Sequence, residues 1–488
     1  MSLVSNITGA SELHIPTDKS PGYFTLENAS TCVLLALITW RFWRFTISPF
    51  LHPERPKEFP YWIPCHGRAF FQDSNGLLSR ARNHFQNTKD PIALTVFGMT
   101  FYVVTQAKHS AEVYRNKDTL SFENFVQVLM KNNSNSEQVI QDMYSDLPAE
   151  KSGFPNPHGA QRTLLLVVRI TLSFLSINGA RTISFALGNM STLVKRLIKL
   201  TQTLPDVFFV FDELIFKMLY QFPRFLSNDM SKPRARVIAS LKKYFEVPQS
   251  KRSNCTAWLI NAMEDEMRTL GVDDDNLAVV IFHLYLAINT NTRKSVFWML
   301  TYLLHNPTVL ARFRQETKPA FKEGQLVNNV YIQEPTNCPL VDQIWLETLR
   351  LSGWAASVRL ITEDTVIGGK LMSKGNRVMV PHRLLHFDES IFGEDPQDFR
   401  PERWQKECLA RSPSWRPFGG GQTMCSGRFL AGYSVTTFAA TLLQRFDIEL
   451  VGNPPIPQAD EGRPVLGIMS IKEGQDFNIR ISPRVVSK

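Results

Sequence analysis

The sequence predicts a mainly α protein with small β-sheets, in which one large domain follows an N-terminal membrane anchor helix. Apolar residues recur at helical spacing through most of the 488 residues, whereas strand patterns are confined to Asp90–Val104 and Ser357–Val380. We find no Gly/Ser tract, charge block or internal repeat that would divide the body. The predicted organisation is a segment of residues 1–28, an anchor of residues 29–48 and a single domain of residues 49–488.

A charge-free and largely apolar run between Asn28 and Trp40 predicts the anchor. A membrane span needs about 20 residues, so this run is too short by itself. It continues through arginines, which can snorkel to the lipid headgroups, and through aromatic residues that suit the interface. The stretch from Ala29 to Ser48 is therefore long enough for a tilted span. A buried or surface-lying helix is the alternative interpretation.

The charges around this run predict its orientation. Arg41 and Arg44 follow it closely, whereas Lys19 is the only Lys or Arg before it. The positive-inside bias therefore leaves the main body in the cytoplasm, with the preceding segment on the lumenal side. Asn6 and Asn28 lie in N-x-S/T sequons of that segment and are candidate glycan acceptors. A cleaved signal peptide is disfavoured because a single lysine makes a poor basic region.

Composition excludes several classes of protein. The chain can bury a sizeable core because 43% of its residues are hydrophobic, and its mean hydropathy of -0.14 excludes a polytopic membrane protein. The net charge of +9 favours an acidic protein partner or an anionic membrane surface, whereas the scattered basic residues predict no nucleic-acid partner. The cysteines share no C-x-x-C spacing, which indicates neither a zinc ribbon nor a disulfide framework. They are Cys32, Cys65, Cys255, Cys338, Cys408 and Cys425.

A long predicted helix before Pro307 carries a polar patch near its middle. The acidic run Asp273–Asp275 suits the amino terminus of this helix, where capping and the helix dipole favour carboxylates. Apolar residues then recur at helical spacing until Ala287–Thr292, which reads Ala-Ile-Asn-Thr-Asn-Thr. Such side chains bond to the backbone and can open a helix locally. The patch therefore either lines a site or is a satisfied structural kink.

A glycine-rich loop precedes a second helical pattern near the carboxyl end. It runs from Trp415 to Arg428 and contains three consecutive glycines and Cys425. The glycines let the backbone approach a flat ligand closely. At the amino terminus of a helix, the helix dipole and the backbone amide donors favour the thiolate form of a cysteine. Such a thiolate is a good iron ligand. The alternative is a glycine-rich turn with an incidental cysteine. A phosphate-binding loop is disfavoured because no Gly-Lys-Ser/Thr ending follows.

Three motifs follow one another along the chain: Glu347-x-x-Arg350, Pro401-Glu402-Arg403-Trp404 and Phe418-x-x-Gly421-x-x-x-Cys425-x-Gly427. In this order they resemble motifs of the cytochrome P-450 family. They correspond to that family's Glu-x-x-Arg helix, the segment whose arginine completes an ion-paired triad, and the cysteine-ligand loop. An isolated Glu-x-x-Arg pair is commonplace on solvated helices, whereas three correctly ordered motifs are specific. The resemblance covers nearly the whole chain from the anchor onward and implies the cytochrome P-450 fold.

The resemblance implies a haem whose iron is held by the thiolate of Cys425, which favours cleavage of the distal O–O bond. It also implies that Phe418 packs beside the sulfur in a loop that includes Gly421 and Gly427. The amides of this loop would tune the charge on the sulfur. Arg359, in the strand-like stretch after the Glu-x-x-Arg helix, resembles a partner of a haem propionate.

Two departures from the family pattern bear on the reaction. Many members carry a basic residue two positions before the cysteine, where this chain has Thr423. Many also carry an acid followed by threonine in the distal helix, where this chain has Thr290 and Asn291. The resemblance places Asn289 to Thr292, and so the candidate catalytic residues Thr290, Asn291 and Thr292, over the distal face of the haem, where oxygen is activated. The combination resembles the branch that contains sterol 7α-hydroxylase and prostacyclin synthase.

The leading hypothesis is a monooxygenase in the endoplasmic reticulum membrane, with a single span and the catalytic domain facing the cytoplasm. It would use O2 and electrons from NADPH-cytochrome P-450 reductase to oxidise a lipophilic substrate, such as a sterol, a terpenoid or another secondary metabolite. The second hypothesis is a reductase-independent isomerase or dehydratase of an oxidised lipid, because Asn291 takes the place of threonine. The third is a non-enzymatic haem-binding or sensing module.

Overall fold

The computed structural model describes residues 26–63, 65–144, 204–220, 222–252, 258–462 and 464–484. The chain divides between Pro53 and Glu54 into a short first unit and a large second unit. The candidate glycan acceptor Asn6 lies outside the described residues, and so does the side chain of Asn28.

The first unit is helical where the predicted anchor lies. Helix α1 (Leu26–Phe42) continues through a π-helical turn, Trp43–Ile47, into α2 (Ser48–Leu51). Most side chains of α1 that the structure describes are exposed, among them Val33 and Leu35. Within the described ranges, none of the helices combines the length and the apolar character that crossing a membrane requires. The membrane-spanning anchor therefore stays a prediction.

The second unit is mainly helical, as the spacing of its apolar residues predicts. Short 3-10 turns occur at Arg224–Leu226, Lys318–Ala320, Pro401–Gln405 and Gly421–Thr423. Its α-helices are α3 (Gly67–Gln72), α4 (Ser74–His84), α5 (Ala107–Arg115), α6 (Glu123–Asn132), α7 (Glu137–Tyr144), α8 (Leu204–Leu214), α9 (Phe216–Leu219), α10 (Asn228–Phe245), α11 (Gln249–Arg252), α12 (Trp258–Thr269), α13 (Asp274–Leu304), α14 (Pro307–Thr317), α15 (Asn329–Gln333), α16 (Pro339–Ser352), α17 (His382–His386), α18 (Glu389–Phe392), α19 (Glu407–Ala410) and α20 (Arg428–Arg445).

In the described residues, the strands form one sheet of six strands and three antiparallel two-stranded pairs. The six-stranded sheet has the order β1-β2-β3-β10-β7-β4, in which β1–β2 and β3–β10 are parallel and the other pairs antiparallel. The remaining pairs are β5–β6, β8–β9 and β11–β12. The strands are β1 (Lys57–Glu58), β2 (Ile92–Val96), β3 (Met99–Val103), β4 (Leu120–Ser121), β5 (Phe321–Lys322), β6 (Gln325–Leu326), β7 (Ala356–Ile361), β8 (Thr365–Ile367), β9 (Lys370–Met372), β10 (Arg377–Pro381), β11 (Phe446–Leu450) and β12 (Ile479–Pro483).

Both strand-like stretches of the sequence form strands. The first becomes the hairpin β2–β3, whose turn residues Phe97 and Gly98 have φ of 48° and 78°, as a tight two-residue hairpin turn requires. The second contains β7 to β10, with turns at glycines of positive φ. The prediction of a mainly α protein with small sheets is therefore confirmed.

Helix α13 runs through both of the largest apolar clusters. Its first half, around Leu277–Leu286, packs with α8, α10 and α12, and its last part, around Trp298–Leu303, packs with α14, α16 and α20. The side chain of Asp273 caps the helix by accepting a hydrogen bond of 2.8 Å from the Asn276 amide. The polar patch Ala287–Thr292 lies between the two clusters, where the apolar packing of the helix is interrupted.

Candidate functional site

The loop that carries Cys425 ends where α20 begins. The amide of Cys425 donates to the Phe418 carbonyl at 3.0 Å, which closes the loop, and Arg428 Nη1 donates to the Cys425 carbonyl at 3.0 Å. Phe418 itself packs against the cluster formed by α13, α16 and α20. The backbone immediately before α20 is therefore fixed on both sides of the cysteine.

The sulfur of Cys425 lies in a recess. The side chain is exposed to solvent, yet burial by the surrounding protein raises its pKa. The amides of Gly427 and Arg428 and the charge of Arg428 act in the opposite direction. An accessible sulfur surrounded by protein suits a ligand that enters the recess, and coordination to a metal removes the thiol proton.

Glycines let this loop lie directly against α5. Gly421 has φ of 67°, and a Cβ at this position would lie 2.4 Å from the Tyr114 carbonyl oxygen. A Cβ at Gly420 would lie 2.9 Å from the ring of Tyr114. The glycine run is thus needed for close backbone packing beside the cysteine, where a side chain would push the loop away.

We expect Gly421→Ala to destabilise the loop and weaken retention of a bound cofactor. The left-handed conformation alone costs about 1–3 kcal/mol for alanine, and the contact with a backbone oxygen adds to it. The midpoint of thermal unfolding and the rate of cofactor loss measure the effect. Gly452→Ala is the matched control, because Gly452 has φ of 79° but open space around its Cβ position. Equal effects of the two substitutions would contradict the role given to the Tyr114 contact.

The Glu347 carboxylate is buried and accepts four hydrogen bonds. Arg350 donates to it through Nε and Nη2, both at 2.8 Å, the Arg400 amide donates at 3.0 Å and Trp404 Nε1 donates at 2.9 Å. Arg403 Nε lies 3.5 Å from the same carboxylate as an ion-pair partner. The three residues of the sequence-predicted triad are therefore brought together, and Glu347 and Arg350 are fully buried.

His386 links this triad to the cysteine loop, which the sequence does not indicate. Its carbonyl accepts from Arg350 Nη1 at 3.2 Å, and its Nε2 accepts from the Arg416 amide at 3.1 Å. Burial, together with the neighbouring His382 and the charge of Arg350, lowers the pKa of His386 well below its usual value. A neutral ring with an unprotonated Nε2 is the state that can accept this bond. A single histidine in a short helix carries no sequence signal for such a role.

Arg359 is buried beside the cysteine loop. It is 5% exposed, and its Nη2 donates to Thr423 Oγ1 at 2.6 Å. Its Nε is buried and has no hydrogen-bond partner in the described structure. An incompletely paired guanidinium that contacts the cysteine loop at Thr423 fits the propionate partner that the family resemblance implies, because a buried cation is costly unless an anion pairs with it.

The predicted distal residues occupy different environments on α13. Asn291 Oδ1 accepts from the Ile468 amide at 3.0 Å, so this side chain holds a neighbouring loop. Asn289 Nδ2 donates to the carbonyl of Tyr285, one turn earlier, at 2.8 Å. Thr290 is buried with its hydroxyl oxygen unpartnered in the described structure, and Thr292 is half-buried. The side-chain amides of Asn289 and Asn291 are therefore hydrogen-bonded to the backbone, whereas the Thr290 hydroxyl can still bond to a ligand or a water.

An ionic cluster centred on the buried Asp212 joins α8 to α13 just beyond these residues. Asp212 Oδ2 pairs with Arg293 Nη2 at 2.5 Å and with Lys294 Nζ at 3.0 Å, and its Oδ1 has no hydrogen-bond partner in the described structure. The cluster was not predicted, because its members lie about 80 residues apart and neither segment carries a motif. It fixes α8 against the helix that bears the polar patch.

The donor set fits a haem. In the ranges that the structure describes, no group of three or more His, Cys, Asp or Glu side chains is arranged to hold a metal ion. A haem needs only an axial donor from the protein, because the porphyrin supplies the four equatorial nitrogens. The recessed Cys425 sulfur offers that axial donor, and Arg359 offers a cation for a carboxylate at the haem edge.

Comparisons with known proteins agree with this donor set. The profile of the family described as Cytochrome P450 matches residues 182–477. The chain is 24% identical over 487 residues to cytochrome P450 monooxygenase poxD of Penicillium oxalicum, which covers 91% of this chain and 96% of that protein. It is 28% identical over 210 residues to beta-amyrin 11-oxidase of Glycyrrhiza uralensis (42% and 41%). It is 25% identical over 299 residues to cytochrome P450 7A1 of Sus scrofa (57% and 58%). The last two matches span less than two thirds of those proteins.

Proposed function

Because the chain belongs to the cytochrome P450 family, whose members bind haem through a cysteine thiolate, we propose that it monooxygenates a lipophilic small molecule. Cys425 is the axial ligand in this proposal, and Phe418, Gly421 and Gly427 shape the loop around it. The oxygen is O2, and the electrons come from an NADPH-dependent reductase. When bound, the haem supplies the iron at which oxygen is activated.

The arrangement around Cys425 carries the proposal. Its sulfur is accessible within a recess, the amides of Gly427 and Arg428 favour its charged form, and the buried cation of Arg359 lies beside the same loop. On α13 the Thr290 hydroxyl is buried and unpartnered in the described structure, so it can hold a water or pass a proton. Asn291 keeps Ile468 and its loop in place against α13.

Expression with and without the reductase tests this function. The full chain is produced in cells that make sterols and terpenoids, with an NADPH-cytochrome P450 reductase or with a reductase that cannot accept NADPH. We expect the reduced carbon-monoxide spectrum of thiolate-ligated haem in both cultures, and an oxygenated product that incorporates label from 18O2 only with the active reductase. Product without reductase, or without the label, would exclude a monooxygenase.

An isomerase or dehydratase of an oxidised lipid is the second candidate. It is favoured by Asn291, which offers an amide where many relatives offer a hydroxyl, and whose Oδ1 is already bonded to the Ile468 amide. Such an enzyme converts a peroxide substrate without NADPH or O2. Purified protein supplied with lipid hydroperoxides and endoperoxides in the absence of reductase discriminates between the two candidates.

The proposed substrate is a sterol, a terpenoid or a related secondary metabolite. Relatives of the chain carry the names beta-amyrin 11-oxidase, ent-kaurenoic acid oxidase and steroid 17-alpha-hydroxylase/17,20 lyase. These alignments cover only 37–41% of the length of the relatives. The substrate class therefore needs an experiment of its own. Comparing the metabolites of the cultures with active and with inactive reductase identifies the substrate class without assuming it.

Membrane association, with the body on the cytoplasmic face of the endoplasmic reticulum, completes the proposal. It is supported by an apolar patch on the second unit, formed by Trp62, Ile63, Phe97, Phe225 and Leu226, each more than half exposed. Phe97 meets Phe222, with ring centroids 5.9 Å apart, and the His66 amide donates to the Thr95 carbonyl, so the contributing segments adjoin one another. Large exposed apolar side chains grouped in this way suit a lipid surface.

Photocrosslinking tests this patch in the full chain. A photoreactive phenylalanine analogue at position 225 is expected to label phosphatidylcholine in vesicles that contain an anionic lipid. The same analogue at Ile481, an exposed apolar residue of β12, is the control and is expected to remain unlabelled. Equal labelling of the two positions would refute the assignment of the patch.

A further inference from the structure

Two arginines meet on one tyrosine beside the cysteine loop. The guanidinium carbons of Arg359 and Arg416 each lie 5.5 Å from the ring centroid of Tyr114. The ring is fixed, because its hydroxyl donates to Ser357 Oγ at 2.8 Å and lies 3.0 Å from His382 Nε2. Tyr114 therefore holds two cations at defined positions.

Neither arginine has an anionic partner in the part of the chain that the structure describes. The ion pairs found there include neither Arg359 nor Arg416, and the Nε atom of each is buried without a hydrogen-bond partner. The nearby His382 is kept neutral, with its pKa lowered to about 4 by burial and by the charge of Arg416. Arg359 is buried and Arg416 is half-buried. Withdrawing cations from water without a counter-charge costs free energy, so this arrangement suits an anionic ligand.

The position of the pair identifies the anion. Arg359 donates to Thr423, two residues before Cys425, and Arg416 lies two residues before Phe418 in the same loop. A haem whose iron is held by Cys425 carries two propionates on one edge. These are the carboxylates that a cofactor brings to this loop, and paired guanidinium groups match carboxylates in geometry and charge.

We propose that Arg416 and Arg359 form a clamp for the haem propionates, and that Arg416 supplies the cation that position 423 lacks. The clamp rests on the proposed function only in requiring that Cys425 ligates haem. The ring of Tyr114 positions both guanidinium groups, and Thr423 orients Arg359. Arg416 is thus a cofactor-binding residue of this chain, although its side chain does not belong to the cysteine-ligand motif.

The rate of haem loss tests the clamp without relying on turnover. Purified full-length holoprotein is mixed with an excess of a haem-scavenging apoprotein. Arg416→Gln is expected to accelerate haem loss about tenfold or more. This is the factor that corresponds to the loss of one charge-assisted hydrogen bond. Arg411→Gln is the matched control, because Arg411 is exposed in the same segment, and it should leave the rate unchanged. Adding Thr423→Arg to Arg416→Gln should restore slow release.

A second measurement changes the cofactor, and its first comparison needs only the wild-type chain. Protein reconstituted with haem dimethyl ester, which lacks both propionate charges, should lose the cofactor faster than with haem. The ester should also remove the difference between wild type and Arg416→Gln. Equal rates for haem and ester, or a variant effect that persists with the ester, would overturn the clamp. A stable thiolate spectrum without turnover would instead refute the monooxygenase and leave the clamp intact.

Discussion

Cys425→Ala is expected to abolish thiolate-ligated haem completely. Alanine removes the sulfur while leaving the loop backbone free to keep its contacts, including the 3.0 Å bond from the residue 425 amide to the Phe418 carbonyl. The effect is all-or-none because no other atom of the side chain can act as an axial donor. The measurement is the reduced carbon-monoxide difference spectrum, together with the iron content of the purified protein.

Cys408→Ala provides the control for this experiment. Cys408 is an exposed cysteine in α19, upstream of the loop, so its removal should leave both the spectrum and the iron content unchanged. A normal thiolate spectrum from Cys425→Ala would show that another residue ligates the iron. Loss of the spectrum from both variants would point to a general sensitivity of cysteine substitution rather than to ligation.

Glu347→Ala is expected to destabilise the body strongly and to prevent stable incorporation of haem. The carboxylate is the counter-charge of Arg350, which is fully buried and held by it through two bonds of 2.8 Å. Removing one partner of a buried pair leaves an uncompensated charge, at a cost of about 3–5 kcal/mol. The Arg400 amide and Trp404 Nε1 also lose their acceptor.

The substitution of Glu347 should also disturb the cysteine loop, because His386 contacts both Arg350 and that loop. Its carbonyl accepts from Arg350 and its ring accepts from the Arg416 amide, so a displaced Arg350 disturbs the start of the loop. Haem content per purified chain and the midpoint of thermal unfolding measure the two effects. Glu402→Gln is the control, since Glu402 pairs with Arg312 at an exposed position, and it should change neither quantity. A fully loaded and stable Glu347→Ala protein would contradict the structural role of the triad.

The features that the sequence predicts well are those with a local signal. The helix α13 is predicted by its acidic cap and periodicity, and the hairpin β2–β3 by its β-branched run with a central glycine. The cysteine loop and the Glu-x-x-Arg helix are recognisable because their residues are close together in the chain. For the same reason the fold class follows from the pattern, since each element buries its own apolar face.

The features that the sequence does not predict depend on contacts between distant segments. Asp212 interrupts an apolar helix and carries no mark of its partners Arg293 and Lys294. Arg416 becomes notable only because Tyr114, about 300 residues earlier, places it beside Arg359. The membrane span predicted for residues 29–48 stays a prediction, because none of the described helices is both long enough and apolar enough to cross a membrane.

The continuity of α13 through both large apolar clusters makes the melting of the second unit cooperative. Neither half of the helix can unwind without withdrawing side chains from the cluster that it shares with its neighbours, and the shared backbone transmits that loss to the other half. Calorimetry should accordingly record the unfolding of both clusters in one endotherm rather than in two.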